Sequence, residues 1–206
     1  MQAELDHLVV TAPTLEGGTE ALRARLGVAP RAGGAHPDMG THNALLRLGR
    51  GVYLEVIAID PAAATPAGAR WFDLDAGSAG VALATWVART PDLEASVAAA
   101  GYDPGPIRPM RRAGLHWRIA FPDDGALLAG GLLPPLIEWP QDALHPAERL
   151  PDDGLALVAL EGTAPDPEAV REQLRTVGLD AVLAIDAGPV HRLRAHIATP
   201  AGTVAL

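Results

Sequence analysis

The feature that most constrains the fold is a strand–turn–helix unit that occurs three times along the chain. Its copies begin at LDHLVVTAPT, VALATWVARTP and LALVALEGTAP. Each reads as an apolar strand, a turn with a proline and an acidic residue, and a helix that ends near a glycine. Because internal repeats reveal architecture before any local assignment, the sequence predicts a chain built from like units.

Three further strands are predicted after the first helix. GTHNALLRLG and GVYLEVIAID are strand-like runs separated by Gly49-Arg50-Gly51, which is a hairpin signal. Residues 30–36 add a short, irregular strand before them. The first unit is therefore predicted to be β-α-β-β-β.

The second unit repeats this order, because three strand candidates also follow its helix: PIRPMRR, LHWRIAFP and PPLIEWP. The third unit is shorter and incomplete, and Pro-rich connections mark the seams between units. We therefore predict an α+β fold with a first βαβββ module at residues 1–62, a second at 63–146 and a partial third module at 152–206.

Composition excludes several kinds of partner. The formal charge of −9 argues against nucleic acid, which is bound through clustered Lys and Arg. No apolar stretch approaches the roughly 20 residues that span a bilayer, and the N-terminus lacks signal-peptide character, so we expect a cytoplasmic protein without a membrane partner. The chain has no cysteine, so a metal would have to be held by His, Asp or Glu.

The tandem units, together with LDHLVV and YLEVIAIDP, resemble the vicinal oxygen chelate superfamily. With GTHNALLRLG they look like its glyoxalase-like-domain branch. The resemblance is dense over residues 5–61 and thinner over residues 80–140. It implies that paired modules curl into a cup, with metal ligands that project inward from the first and fourth strands of each module.

On that pattern the resemblance implies a divalent metal, Mn, Mg, Zn or Ni, bound by His7, Glu55 and Glu138. The fourth ligand position carries Thr85, which departs from the pattern. The ion would act as a Lewis acid on adjacent oxygens of a substrate. Alternation along the strand predicts that Asp6 faces away from His7 and so lies outside the site.

Other polar residues are candidates for contact with a substrate. His116 and Arg118 alternate with Trp117 and are predicted to face the cup, with His116 and Glu138 as catalytic groups. Asn43 and Arg118 are predicted to bind the substrate. Each has a structural alternative: Asn43 could tie down a loop, and His116 could be a packing residue.

Two classes of function stay open at this point. One is a metal-dependent lyase, isomerase or hydrolase that acts on a small oxygenated molecule. The other is a metal-free protein that sequesters a small apolar or antibiotic-like compound in the cup. In either case the incomplete third module leaves a sheet edge that covers the cup or pairs with a second subunit in a homodimer.

Overall fold

The computed structural model describes residues 2–77, 80–112 and 114–206. The strands of this part of the chain are β1 (Glu4–Thr11), β2 (Arg31–His36), β3 (Thr41–Arg47), β4 (Tyr53–Ile59), β5 (Ala82–Arg89), β6 (Ile107–Arg112), β7 (Leu115–Ala120), β8 (Leu136–Glu138), β9 (Ala156–Ala164), β10 (Ala184–Ala187), β11 (Arg192–Thr199) and β12 (Gly202–Ala205). The α-helices are α1 (Leu15–Leu26), α2 (Leu93–Ala99), α3 (Pro146–Arg149) and α4 (Pro167–Arg175). No described helix is long and apolar enough to cross a bilayer.

Eight strands form one mixed sheet in the order β2-β3-β4-β1-β5-β8-β7-β6. Its two halves repeat one arrangement, because β4 pairs parallel with β1 and β8 pairs parallel with β5. The halves meet where β1 and β5 run antiparallel. This order confirms the predicted α+β fold of tandem βαβββ modules in a cup-shaped sheet. The residue boundaries that we assign to the modules stay a prediction.

Local signals place the crossover helix of the first module. Thr14 accepts a hydrogen bond from the backbone of Gly17 and caps the start of α1, and Gly27 ends the helix with a left-handed φ of 77°. Leu22 and Leu26 bury against the sheet. Each fully buried leucine contributes about 1.5–3 kcal/mol, so these contacts hold the helix on the outer face of the cup.

Alternation along the strands divides the apolar side chains into two layers. Leu8, Leu54 and Trp86 pack under the helices in the main core. Val9 and Val87 lie on the opposite face of the sheet and pack with several aromatic residues in a second cluster inside the cup. The candidate site lies in this second layer.

The C-terminal unit forms its own four-stranded sheet in the order β10-β9-β11-β12. In this sheet β9 and β11 are adjacent, and they run antiparallel. The strand order differs from the first two modules, because β9 lies between β10 and β11 rather than at the end of its sheet. Leu160, Leu174 and Ile197 join the main core, so this smaller sheet packs with the cup as one structure.

Candidate functional site

The first strand carries an irregularity at its start that places two polar side chains together. The pairing of β1 with β5 shifts register between Leu5 and His7, so Asp6 is the extra residue of a β-bulge. As a result Asp6 Oδ1 lies 2.6 Å from His7 Nδ1. The prediction that Asp6 faces away from His7 is therefore wrong, because it assumed unbroken alternation along the strand.

His7 lies between two buried carboxylates. Its Nδ1 contacts Asp6, and its Nε2 lies 3.5 Å from Glu55 Oε2. The imidazole stacks on the Tyr53 ring, with the ring centroids 4.5 Å apart. All four side chains are buried. The imidazole ring is thus fixed with one nitrogen toward each carboxylate.

Glu55 is held by residues from both modules. Asn43 donates from Nδ2 to Glu55 Oε1 and accepts a 3.0 Å hydrogen bond from the backbone of Gly34. The same Glu55 oxygen lies 3.8 Å from Arg112 Nη1 and 3.9 Å from His36 Nε2. Strands β2, β3 and β4 of the first module and β6 of the second therefore meet at one carboxylate.

Asp6 ties a later segment of the chain to this site. Its Oδ2 accepts a 2.9 Å hydrogen bond from Trp139 Nε1 and lies 2.9 Å from His145 Nε2. The Nδ1 of His145 accepts a hydrogen bond from Ala147 N, so Nε2 carries the hydrogen and donates to Asp6. The segment from Trp139 to His145 is thereby fastened to the start of β1.

Burial and hydrogen bonding act against each other on the buried acids. Burial would raise the pKa of Asp6, but hydrogen bonds from His145 and His7 hold that pKa well below its usual value. Burial likewise disfavours the charge on His7, yet hydrogen bonds to Asp6 and Glu55 raise the pKa of the imidazole. Despite burial, contact with His7 lowers the pKa of Glu55 to about 2.

The charges in the cup balance. Burial lowers the pKa of His36 to about 4, so this histidine is neutral at neutral pH. Asp6 and Glu55 are anions and Arg112 is a cation, and the raised pKa of His7 favours its cationic form. With His7 protonated, the two anions and two cations of the buried cluster cancel.

Glu138, the third predicted metal ligand, lies away from His7 and Glu55. Glu138 accepts a 2.8 Å hydrogen bond from Leu93 N at the start of α2 and pairs with Arg118 at 2.7 Å. Its neighbour Ile137 is the residue of β8 that lines the cup, because successive side chains alternate across the strand. The expected convergence of three ligands is therefore not found.

Strand β7 presents the face opposite to the predicted one. Trp117 and Ile119 line the cup, so His116 and Arg118 point outward. His116 is exposed, and Arg118 pairs with Glu94 of α2 as well as with β8. Neither side chain reaches the cup, so the catalytic and substrate-binding roles expected of them have no place there.

The residues present do not fit a divalent metal. The β5 position that corresponds to His7 carries Thr85, whose hydroxyl donates a 3.1 Å hydrogen bond to Gly131 O. The guanidinium of Arg112 already places a positive charge beside Glu55, and a second cation there would be repelled. Within residues 2–77, 80–112 and 114–206, no three His, Asp or Glu side chains could together hold an ion.

Aromatic walls nearly fill the cup. A cavity of about 20 Å³ remains among the aromatic side chains and the buried acid–base groups, with room for about one or two water molecules. A larger cleft of about 970 Å³ lies between the two sheets, but none of the buried acid–base groups lines it. The candidate site is therefore the small cavity, whose aromatic walls are Trp71, Phe72, Trp117 and Trp139.

The family model of a glyoxalase-like domain matches residues 5–178. The chain belongs to the glyoxalase-like domain family. This glyoxalase-like protein is thus a member of the vicinal oxygen chelate superfamily, as its strand motifs indicated. No curated protein is a significant match to it.

Several solved structures align with this glyoxalase-like protein at low identity. A hypothetical protein from Staphylococcus aureus aligns with a TM-score of 0.67 and 12% identity, over 93% of this chain and 88% of its own. A hypothetical protein from Bacillus halodurans C-125 aligns with a TM-score of 0.46 and 14% identity, over 70% and 99%. Methylmalonyl-CoA epimerase from Mycobacterium tuberculosis aligns with a TM-score of 0.43 and 24% identity, over 66% and 87%.

Four residues of the glyoxalase-like site were missed by sequence reasoning. His36 follows an irregular strand and looks like a loop residue, yet it is buried at the end of β2. Arg112 stands in a basic pair with Arg111, and only the partner is exposed. Trp139 and His145 are distant in sequence from Asp6. Trp139 and His145 each precede a proline, in the dipeptides WP and HP. This was the one local feature of the sequence that could have marked them as site residues.

Proposed function

We propose that this glyoxalase-like protein carries out metal-independent proton transfer on a small oxygenated molecule, which is chemistry of the isomerase and lyase type. The observation that carries the proposal is the buried His7, with Asp6 on one nitrogen and Glu55 near the other. Two neighbouring groups whose surroundings push their pKa values apart are the usual arrangement of an acid and a base. The raised pKa of His7 favours its protonated form and the lowered pKa of Glu55 keeps it deprotonated, so His7 is placed to give a proton and Glu55 to take one.

The geometry lets both groups reach one substrate. His7 Nε2 and Glu55 Oε2 are 3.5 Å apart, and both residues line the same cavity. Glu55 takes a proton from a carbon of the substrate, and His7 gives a proton to another atom of the same molecule. The proton on Glu55 then passes to His7 across their contact, which returns the site to its starting state.

Neighbouring side chains hold the two groups in position for this chemistry. Asn43 occupies Oε1 of Glu55, which leaves Oε2 for the transferred proton. Asp6 accepts from Nδ1 of His7, which directs the proton of Nε2 toward the cavity. A catalytic group held by its neighbours needs no reorganisation when charge moves in the reaction.

A substrate reaches this site only when the cup opens. The cavity has room for about one or two water molecules, so the side chains that cover it must move aside. Trp139 covers the cavity and donates to Asp6, so the cover and the acid–base pair share one carboxylate. Closure over a bound substrate would then exclude water and complete the hydrogen bonds of Asp6.

A second candidate is metal-free binding of a small apolar compound. Four aromatic residues favour it, since Trp71 stacks on Phe72 at 5.3 Å and Trp117 packs against Trp139 at 5.4 Å. Such walls bind flat apolar molecules without any reaction. Under this function the buried ionic cluster would only position the walls of the cup.

Exchange of substrate hydrogens with solvent tests the first function. Full-length protein would be incubated in D₂O with hydroxyacetone, dihydroxyacetone and 3-hydroxy-2-butanone, and proton NMR would follow loss of the signals next to the carbonyl. The wild type should accelerate exchange of at least one compound. Glu55→Gln should reduce the acceleration by about 100-fold or more, since one general base contributes about 10²–10⁴ in rate.

Glu20→Gln is the matched control, because Glu20 is an exposed residue of α1 whose one ion pair among the described residues is with Arg23. It should leave the exchange rate unchanged. If none of the compounds exchanges above the rate in buffer, the proton-transfer function is rejected. Binding of an apolar dye in the cup, equal in wild type and Glu55→Gln, would then support the second candidate.

A further inference from the structure

Arg112 is a buried arginine whose guanidinium is not fully hydrogen-bonded. Its relative exposure is 5%, and its Nε has no hydrogen-bond partner among the described residues. Its nearest anion is Glu55 at 3.8 Å, which is beyond hydrogen-bond distance. The guanidinium lies 5.8 Å from the ring centroid of Trp117. A buried donor that is left unpaired is costly, so this N–H is available to a ligand.

Trp71 supplies a second unused donor to the same cavity. Its relative exposure is 3%, and its Nε1 also lacks a hydrogen-bond partner in the described part of the chain. The indole is fixed by stacking on Phe72 and by edge-on contact with His36, whose ring centroid lies 5.0 Å away. Trp71, Arg112, His7 and Glu55 all line the cavity of about 20 Å³.

The balance of charge limits what these donors can hold. Asp6 and Glu55 are already matched by His7 and Arg112, which they contact, so when His7 is protonated a carboxylate ligand would add one uncompensated negative charge. A neutral ligand leaves the balance unchanged, and a carbonyl oxygen accepts hydrogen bonds from donors such as Arg Nε and Trp Nε1. The two unpaired donors therefore favour an uncharged carbonyl compound as the ligand.

We infer that Arg112 and Trp71 form an oxyanion site that binds the carbonyl oxygen of a neutral aldehyde, ketone or ester. This inference rests on the proton-transfer function proposed above and names its substrate class. When Glu55 takes the proton from the carbon beside the carbonyl, the C–H electron pair forms the C=C bond of an enolate. The carbonyl electron pair moves to oxygen, where Arg112 and Trp71 donate to it. His7 then gives its proton to a carbon of the enolate, which restores a carbonyl, and the proton on Glu55 passes to His7 across their 3.5 Å contact.

The charge stays balanced throughout this step. Glu55 becomes neutral as the substrate oxygen becomes negative, so the negative charge moves from one neighbour of Arg112 to another. A positively charged side chain thus supplies the stabilisation that an oxyanion needs in a buried site. Arg112 is therefore assigned as the resident cation of the cup.

NMR of the full-length ¹⁵N-labelled protein tests the binding part directly. The Nε–H signals of Arg112 and Trp71, identified by their absence in Arg112→Lys and Trp71→Phe, would be followed during titration with hydroxyacetone. Both signals should shift together with saturation. 1,2-Propanediol, which lacks the carbonyl, should bind at least about 10-fold more weakly, and pyruvate should shift neither signal.

The variants sharpen the assignment. Arg112→Lys keeps the charge but loses the Nε donor, and Trp71→Phe keeps the ring but loses its N–H. Each should weaken hydroxyacetone binding about 10-fold, as judged from the Trp or Arg signal that remains. Arg111→Lys is the matched control, because Arg111 is exposed and pairs with Asp38. It should bind hydroxyacetone like the wild type.

Separate outcomes distinguish the inference from the proposed function. Shifts of both signals without hydrogen exchange would keep the carbonyl site and reject proton transfer. Hydrogen exchange without either shift, or with unchanged binding in both variants, would keep proton transfer and overturn the oxyanion site. Tighter binding of pyruvate than of hydroxyacetone would overturn the assignment of a neutral ligand.

Discussion

The two halves of the cup share one strand order but differ in chemistry. The first module supplies Asp6, His7 and Glu55, all buried and titratable. At corresponding places in the second module, Thr85 hydrogen-bonds to a backbone carbonyl, and Pro135 occupies the position of Glu55. A repeated fold therefore gives two equivalent sets of positions, and here only one set carries an acid and a base.

The second module has a different part in the site. It contributes the walls Trp117 and Ile137 and the buried cation Arg112. Burying a carboxylate costs free energy unless a partner of opposite charge lies beside it. Arg112 of the second module is such a partner for Glu55 of the first. The comparison shows that the modules complement each other in charge although their backbones are alike.

The largest expected effect is a difference in the stability that a single substitution removes from each half of the cup. Asp6→Asn removes a buried charge on which three side chains converge, His7, Trp139 and His145. Breaking such a network costs about 3–5 kcal/mol, so the urea midpoint should fall strongly. Thr85→Val removes one neutral hydrogen bond in the other half and should cost about 1 kcal/mol. Equal losses for both variants would contradict the asymmetry.

A second effect should appear in the pH dependence of stability. His36 is the titrating group, and it faces Glu55, Arg112, His42 and His7. Its pKa is lowered from 6.5 to about 4, so the unfolded chain binds a proton that the folded protein does not. Between pH 6.5 and pH 4.5 the free energy of unfolding should therefore fall by about 2 kcal/mol as pH decreases.

The opposite slope is expected above that range. The pKa of His7 is raised, so its stabilising contribution is complete below pH 6.5 and is lost as pH rises through its folded value. Stability should therefore be greatest near pH 6.5. Urea unfolding across pH 4.5–9 measures both slopes, and His36→Gln should abolish only the acidic one. An unchanged acidic slope in this variant would refute the assignment.

A smaller effect is expected at the segment that covers the cup. Trp139→Phe keeps an aromatic wall against Trp117 but loses the N–H that donates to Asp6. We expect a loss of about 1–2 kcal/mol, because a hydrogen bond to a charged group is removed. Amide hydrogen exchange should rise between residues 139 and 145 and stay unchanged in the C-terminal sheet. A uniform rise across the chain would show global destabilisation instead.

The smallest expected effect concerns metals. Because Arg112 supplies the cation beside Glu55, we expect Mn, Mg, Zn or Ni to leave the melting temperature of the wild type unchanged, before and after chelation. Arg112→Ala removes that cation and leaves the carboxylate without its compensating charge. A metal-dependent rise in melting temperature confined to this variant would support the role of Arg112. A rise in the wild type would restore the predicted metal site at His7 and Glu55.

The sequence by itself determined the architecture and half of the site. Repeated apolar strands, helix-ending glycines and the DH and YLEV motifs predicted tandem modules and indicated that His7 and Glu55 lie near each other, and the two side chains are 3.5 Å apart. These predictions succeed because strand and helix periods are local properties, and because paired modules have few ways to bury their apolar faces.

Tertiary structure alone decided which side chains enter the cup. A one-residue bulge turns Asp6 onto the face of His7, and the register of the short strand β8 points Glu138 away from it. The side-chain period of a strand is two residues, so a shift of one residue reverses the face of every side chain beyond it. No local pattern in the sequence records such a shift, because it is set by pairing with strands that are distant along the chain.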